Sequence, residues 1–227
     1  MENDGKPPDM GEASLNTYRA EAADLIMDAG EAVFAESGFH AATTRAIAAR
    51  ARVNAALIHY YFGNKERLFE DIVKRRAQEI NAHRRDLLER LRDVDAEPAL
   101  EAVIDAFLRP TIELGRDPTR GGEHYALLVV QVASGTDERS RRLTAESYNE
   151  IAGVFIDEVI AATPGLSRPN AVTGYLHAVA VGLSLMGRTG RNADLLGAQR
   201  TDDDVESVIA RAVTFIAAGI RALAAPP

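Results

Sequence analysis

Apolar residues recur at steps of three and four along nearly the whole chain, and no stretch alternates with period two, which predicts an all-α protein. The first helix is expected from about Thr17 to Ser37, with Ala22, Ile26, Ala29 and Val33 on its apolar stripe and Gly38 ending it. Two short helices follow, Thr44 to about Ala51 and Ala55 to Phe62. Gly63 and Asn64 then break the chain, and Asn64 is a good cap for a long helix from Lys65 to about Leu91. That helix has a buried stripe of Leu68, Phe69, Ile72, Ile80, Leu87 and Leu91. The acidic segment Asp93–Pro98 marks a linker. A further helix starts near Pro98 and should break or kink at Pro110, whose ring and missing N–H disrupt a helical turn.

Gly115 to Gly122 is loop-like, Tyr125–Ala133 is apolar enough for a buried helix, and Asp137–Ala162 is amphipathic up to the Pro164-Gly165 stop. Two long helices close the chain. The first follows a Ser167 cap, with Val172, Leu176, Val179, Leu183 and Met186 in register. The second follows a Thr201 cap, with three aspartates in its first turn. It carries Val205, Ile209, Ala212, Ile216, Gly219 and Leu223 on one stripe and Val208, Phe215 and Ala222 on another. The pattern leaves two readings open: a helix buried within one chain, or one with one flank for its own core and one for a second subunit.

Composition narrows the class. Apolar residues make up 46% of the 227, enough for a core, and no apolar run approaches the roughly 20 residues of a membrane helix. The first sixteen residues are polar, hold two prolines and four acids, and read as a disordered tail rather than a targeting signal, so the expected location is the cytoplasm. There are no cysteines, and the five histidines include no i, i+4 pair, so no cofactor or metal is expected. Net charge is −8, which by itself disfavours a polyanionic partner. Residues 43–76 run against that trend, with eight Lys or Arg and three acids. A basic patch on an acidic body suits a regulator with a separate ligand domain.

The stretch TTRAIAARARVNAALIHYYF, residues 43–62, reads as two short helices joined by a turn of three or four residues. Ala48 is small enough for their crossing point, and Ile47, Val53, Leu57 and Ile58 can anchor the angle. The second helix is left with Asn54, Ala55, His59 and Tyr60 on a free face, groups suited to a DNA groove.

From Ile26 to Phe69 the chain resembles the TetR family of bacterial regulators. The likeness is carried by IMDAGEAVFAESGF, TTRAIAARARV and, most specifically, HYYFGNKERLF. The resemblance implies a DNA-binding helix-turn-helix domain at 17–64, a connecting helix at 65–91, and a ligand-binding and dimerisation domain at 92–227, after a tail at 1–16. It implies that Thr43 and Thr44 hold a phosphate and that Arg45 reaches the backbone or a base. Asn54, Ala55 and His59 would face the major groove, Tyr60 would touch a phosphate, and Lys65 would clamp one. It further implies a homodimer through about 169–190 and 202–224, and a repressor released from a near-palindromic operator by an unknown small molecule. Phe107, His124, Tyr125, Tyr148, Phe155, His177 and Met186 are the expected pocket residues.

Two positions depart from the family pattern. Arg52 stands where the family usually has glycine, at a cost of about 1–2 kcal/mol if the backbone is left-handed there. Only Arg19 is available for a basic arm before the first apolar run, where Ala23, Asp24 and Leu25 stand. Two other classes remain at this point. One is a helical ligand-binding or scaffold protein without DNA binding. The other is an enzyme, although G-x-S-x-G, H-E-x-x-H and G-x-G-x-x-G are all missing. The stretch from Gly182 to Thr189 imitates a phosphate loop, with arginine in place of lysine and no preceding strand.

Overall fold

The structure is a computed structural model describing residues 12–95, 97–187, 194, 195, 197 and 204–224. Among the described residues there is no strand. The described residues form nine α-helices with these bounds, in order: α1 Glu12–Ala41, α2 Thr44–Ala51, α3 Ala55–Phe62, α4 Lys65–Val94, α5 Leu100–Arg116, α6 Gly122–Ser134, α7 Glu138–Ala161, α8 Arg168–Met186 and α9 Val205–Ala224. A 3-10 turn, Pro118–Arg120, joins α5 to α6. The chain divides into two compact units, residues 1–72 and 73–227, and α4 contributes to both.

In the N-terminal unit the core is built from Ile26, Phe34, Ile47, Ile58, Leu68 and Ile72, all fully buried. Three phenylalanines lock its centre: Phe34 meets Phe69 edge-on at 5.1 Å, and Phe39 lies against both rings. α1 begins earlier than the pattern indicates. It runs nominally to Ala41, but Gly38 at φ 75°, ψ 161° leaves the helix, a conformation open to glycine because it has no Cβ. The expected stop at Gly38 is therefore real, and one turn of chain follows it. Asn64 caps α4 as expected, its Oδ1 accepting from Arg67 N–H at 2.8 Å.

The C-terminal unit packs α5, α7, α8 and α9 around Leu100, Val103, Phe107, Leu108, Ile151, Phe155, Ile209 and Ile216. α5 does not break at Pro110. The helix runs on to Arg116 with the proline buried inside it, because tertiary burial on all sides outweighs one lost backbone bond. The expected loop at 115–122 shrinks to the 3-10 turn, and α6 starts at Gly122. α8 and α9 approach closely at Gly174, where a Cβ would lie 2.9 Å from Ile220 Cγ1. Arg221 pairs with Glu101, and Arg109 with Asp105 and Glu206, tying α9 to α5.

α9 corrects three expectations. The Thr201 cap and the first two aspartates fall outside the described residues, and it is Asp204 that caps the helix, accepting from Ser207 N–H at 2.8 Å. Val208 belongs to the core rather than to a second flank, while Phe215 stands 71% exposed. The helix also has the length and composition of a membrane span, contrary to the reading of the apolar runs. Yet Val208, Ile209, Ala212, Val213, Ile216, Ala217 and Ile220 are buried against its neighbours, as in a core helix. Gly182, the start of the phosphate-loop imitation, sits buried inside α8.

Candidate functional site

Two places on the chain gather chemistry, one in each unit. In the N-terminal unit, α2 and α3 are joined by a turn through Arg52. Arg52 takes φ 56°, ψ 40°, the left-handed region, and is the sole non-glycine residue with positive φ among the described residues. Its N–H bonds the carbonyls of Ala48 and Ala49, and Val53 N–H bonds Ala48 carbonyl at 3.0 Å. The turn therefore keeps the glycine-type backbone despite the arginine, and the strain anticipated from the sequence is present. Ile47 and Ala48 from α2 and Ile58 and Phe62 from α3 are buried; Val53 and Leu57 are half-buried anchors.

This packing turns the opposite face of α3 outward. His59 and Tyr60 are exposed, Tyr60 at 66%, and Ala55 is half-exposed. Thr43 caps α2, its Oγ1 accepting from Ala46 N–H at 3.1 Å, which leaves the hydroxyl proton for donation. The amides of Thr44 and Arg45 open α2 and have no carbonyl one turn back to bond. Asn54 caps α3, Oδ1 accepting from Ala56 N–H at 2.9 Å, so its amide Nδ2 is the part left for an incoming group. Bidentate pairing with adenine would require giving up that cap. His59 Nδ1 lies 2.9 Å from Gly63 carbonyl, which can only accept, so Nδ1 carries the proton and Nε2 of the neutral ring is an acceptor.

Lys65 is placed differently from the role the resemblance implies. Its ammonium donates to the carbonyls of Phe39 and Ala42 at 2.9 Å each, reaches His40 carbonyl at 3.5 Å, and sits 4.5 Å from the centre of the Phe39 ring. All three donors point back at the end of α1. The basic cluster is likewise partly used internally: Arg50 pairs with Glu36, Lys74 with Glu146 and Arg76 with Glu79. Arg45, Arg52 and Arg67 are the exposed bases of the cluster with no side-chain partner among the described residues.

In the C-terminal unit a cavity of about 170 Å³ lies among α4, α5, α6, α7 and α8. Of the residues named as pocket candidates, Phe107, Tyr125 and Tyr148 line it. The other four expected residues do not. Phe155 is buried behind Phe107, their rings 5.3 Å apart; Met186 is fully buried with Ile80, Leu114 and Val129. His124 lies half-exposed off the cavity, and His177 is exposed on α8, in a groove with Phe215. Sequence reasoning missed Arg84, Thr111, Asn149 and Tyr175. A signal for Arg84 existed: it falls within the apolar stripe of α4, four residues from both Ile80 and Leu88, where a charge has no business unless it is used. Burial pushes the Tyr148 phenol up to about 12 and raises Tyr125 and Tyr175 as well, so all three are neutral donors near pH 7.

An exposed helix face in one unit and a lined cavity in the other define a two-part helical protein. Residues 26–72 match the model "Bacterial regulatory proteins, tetR family", and residues 105–219 match "Tetracyclin repressor-like, C-terminal domain". The chain belongs to the TetR family of bacterial transcriptional regulators. No curated protein matches it in sequence. Among solved structures it is similar to the fatty acid degradation regulator FadR from Bacillus halodurans, at 16% identity and TM-score 0.65 over 88% of this chain and 96% of that one. A tetR-family regulatory protein from Rhodococcus RHA1 gives 18% identity, TM-score 0.65, 88% and 97%. FadR from Bacillus subtilis, solved in complex with stearoyl-CoA, gives 18% identity, TM-score 0.60, 86% and 98%.

Proposed function

We propose that the protein is a dimeric repressor that binds a near-palindromic DNA operator and is released from it by a small molecule. The observation that carries the DNA-binding part is the split of α3: Ile58 and Phe62 are buried, while His59 and Tyr60 face outward beside the free N-terminal amides of α2. In this reading the Thr43 hydroxyl and the amides of Thr44 and Arg45 hold one phosphate, Tyr60 holds another, and Ala55, His59 and the Asn54 amide meet base edges. The His59 Nε2 acceptor suits an exocyclic amine of adenine or cytosine in the major groove. Lys65 supports this surface from behind by fixing the end of α1.

Dimerisation is assigned to the outer face of α8 and α9, about 169–190 and 202–224. Phe215, Leu176 and Val172 are exposed there, and a groove with Gly219 and His177 lies beside them. An exposed apolar groove of this kind, with Phe215 on its wall, is costly unless a partner covers it. A two-fold dimer would set two α3 helices at half-sites ~34–36 Å apart. The cavity supplies the ligand site, and the stearoyl-CoA complex of a structural neighbour supports small-molecule binding by this fold. Because α4 runs through both units, a ligand that favours one position of α4 would shift the population of DNA-competent dimers. The test is a binding-site selection with purified protein. A two-fold-symmetric consensus is the expected result; no enrichment at low salt would refute the reading.

A further inference from the structure

The cavity holds a charge that the fold does not neutralise. Arg84 is 6% exposed and lines the cavity wall. Its Nε donates to Phe107 carbonyl at 2.9 Å, Nη2 to Thr111 Oγ1 at 2.9 Å and Nη1 to Asn81 Oδ1 at 3.4 Å, while its Cζ lies 4.2 Å from the Phe107 ring centre. Every one of these partners is neutral. Among the described residues no carboxylate lies within ion-pair distance of Arg84. The nearby tyrosines offer no anion, since burial raises their phenols far above neutrality. Five N–H groups are available on a guanidinium, and three are accounted for. Burying a cation without a counter-charge is unfavourable, and an arriving anion offsets part of that cost.

We propose that this cavity recognises a small organic acid, its carboxylate held by Arg84 and its compact apolar body by the surrounding rings. The inference rests on the reading of the C-terminal unit as a ligand domain and adds the chemical class. Size limits the body. A 170 Å³ space is close to the roughly 150 Å³ engineered cavity that accepts benzene, so it takes one ring or a short branched chain. Phe107 and Val129 supply apolar walls, and Tyr148 and Asn149 supply neutral polar groups for the second carboxylate oxygen or a ring substituent.

The experiment is calorimetric titration of the full chain with matched one-ring probes: benzoate and phenylacetate, the neutral benzamide, and the cationic benzylamine. An acid is expected to bind at least about tenfold tighter than benzamide, with no binding of benzylamine. In Arg84→Met the acid should lose that advantage while benzamide binds as before. Arg84→Lys keeps the charge and loses the fork, and should keep an acid preference at reduced affinity. If Arg84→Met does not fold, the wild-type selectivity and Arg84→Lys still decide. Equal binding of acid and amide to the wild type, or no binding of either acid at millimolar concentration, overturns the proposal. A gel shift on a selected operator separates this from the functional reading. An acid that binds without releasing DNA supports the site and refutes ligand release. A neutral probe that binds as tightly as the acids and releases DNA does the reverse.

Discussion

Replacing Lys65 by Met keeps most of the aliphatic stem and removes the ammonium, so the two roles a lysine can have at this position come apart. In the structure the ammonium makes two 2.9 Å bonds to carbonyls at the end of α1 and rests on the Phe39 ring. A hydrogen bond from a charged donor contributes about 1.5–3 kcal/mol when buried, and less here because Lys65 is half-exposed and water can replace it. Taking about 0.5–1 kcal/mol for each of the two bonds and about 0.5–1 for the cation–π contact, the loss is about 2 kcal/mol. It should fall on the N-terminal unit. Hydrogen exchange would then show faster opening of α1 to α3 with α5 to α9 unchanged. DNA binding should weaken by the same free-energy loss only where that unit is partly unfolded, and the slope of log affinity against log salt should stay constant. A phosphate clamp gives the opposite signature: stability within about 0.5 kcal/mol of wild type and a slope reduced by about 0.9. That result would refute the staple.

Arg52→Gly should stabilise the protein by about 0.5–1 kcal/mol in urea unfolding, the relief of a left-handed arginine less the extra chain entropy of glycine. A loss of stability would mean that the arginine side chain repays its backbone. Asn54→Asp keeps an oxygen to cap Ala56 N–H while placing a carboxylate toward the DNA phosphates; unfolding should change by less than about 0.5 kcal/mol and operator binding should be lost. Phe215→Glu should convert the dimer to a folded monomer, by light scattering and circular dichroism, because the side chain is 71% exposed in the single chain and contributes little to its core. Binding of a carboxylate probe should be flat from about pH 6 to 9. Over that range Arg84 stays protonated even with burial lowering it, and the phenols around it, raised by burial, stay neutral. Below the probe's own pKa, affinity should fall about tenfold per pH unit as the anion is lost.

The helices and the reading head were legible in the linear pattern for a simple reason. Amphipathic spacing, caps and breakers act over four to seven residues, so Asn64 and Gly38 declare themselves locally. The exposure of Tyr60 and burial of Phe62 follow from the same spacing. What the pattern could not reach depends on partners far away in the chain. Pro110 stays within a helix because surrounding elements bury it. Lys65 turns inward because carbonyls 23 to 26 residues earlier meet its ammonium. Of seven aromatic, histidine and methionine residues expected at the cavity, three line it, since composition says nothing about which face of a buried helix borders empty space. Arg84 was visible as an anomaly in an apolar stripe, but only packing shows that nothing negative lies beside it. Local periodicity sets which elements form; the energy of a buried charge or a void is set by neighbours that three dimensions bring together.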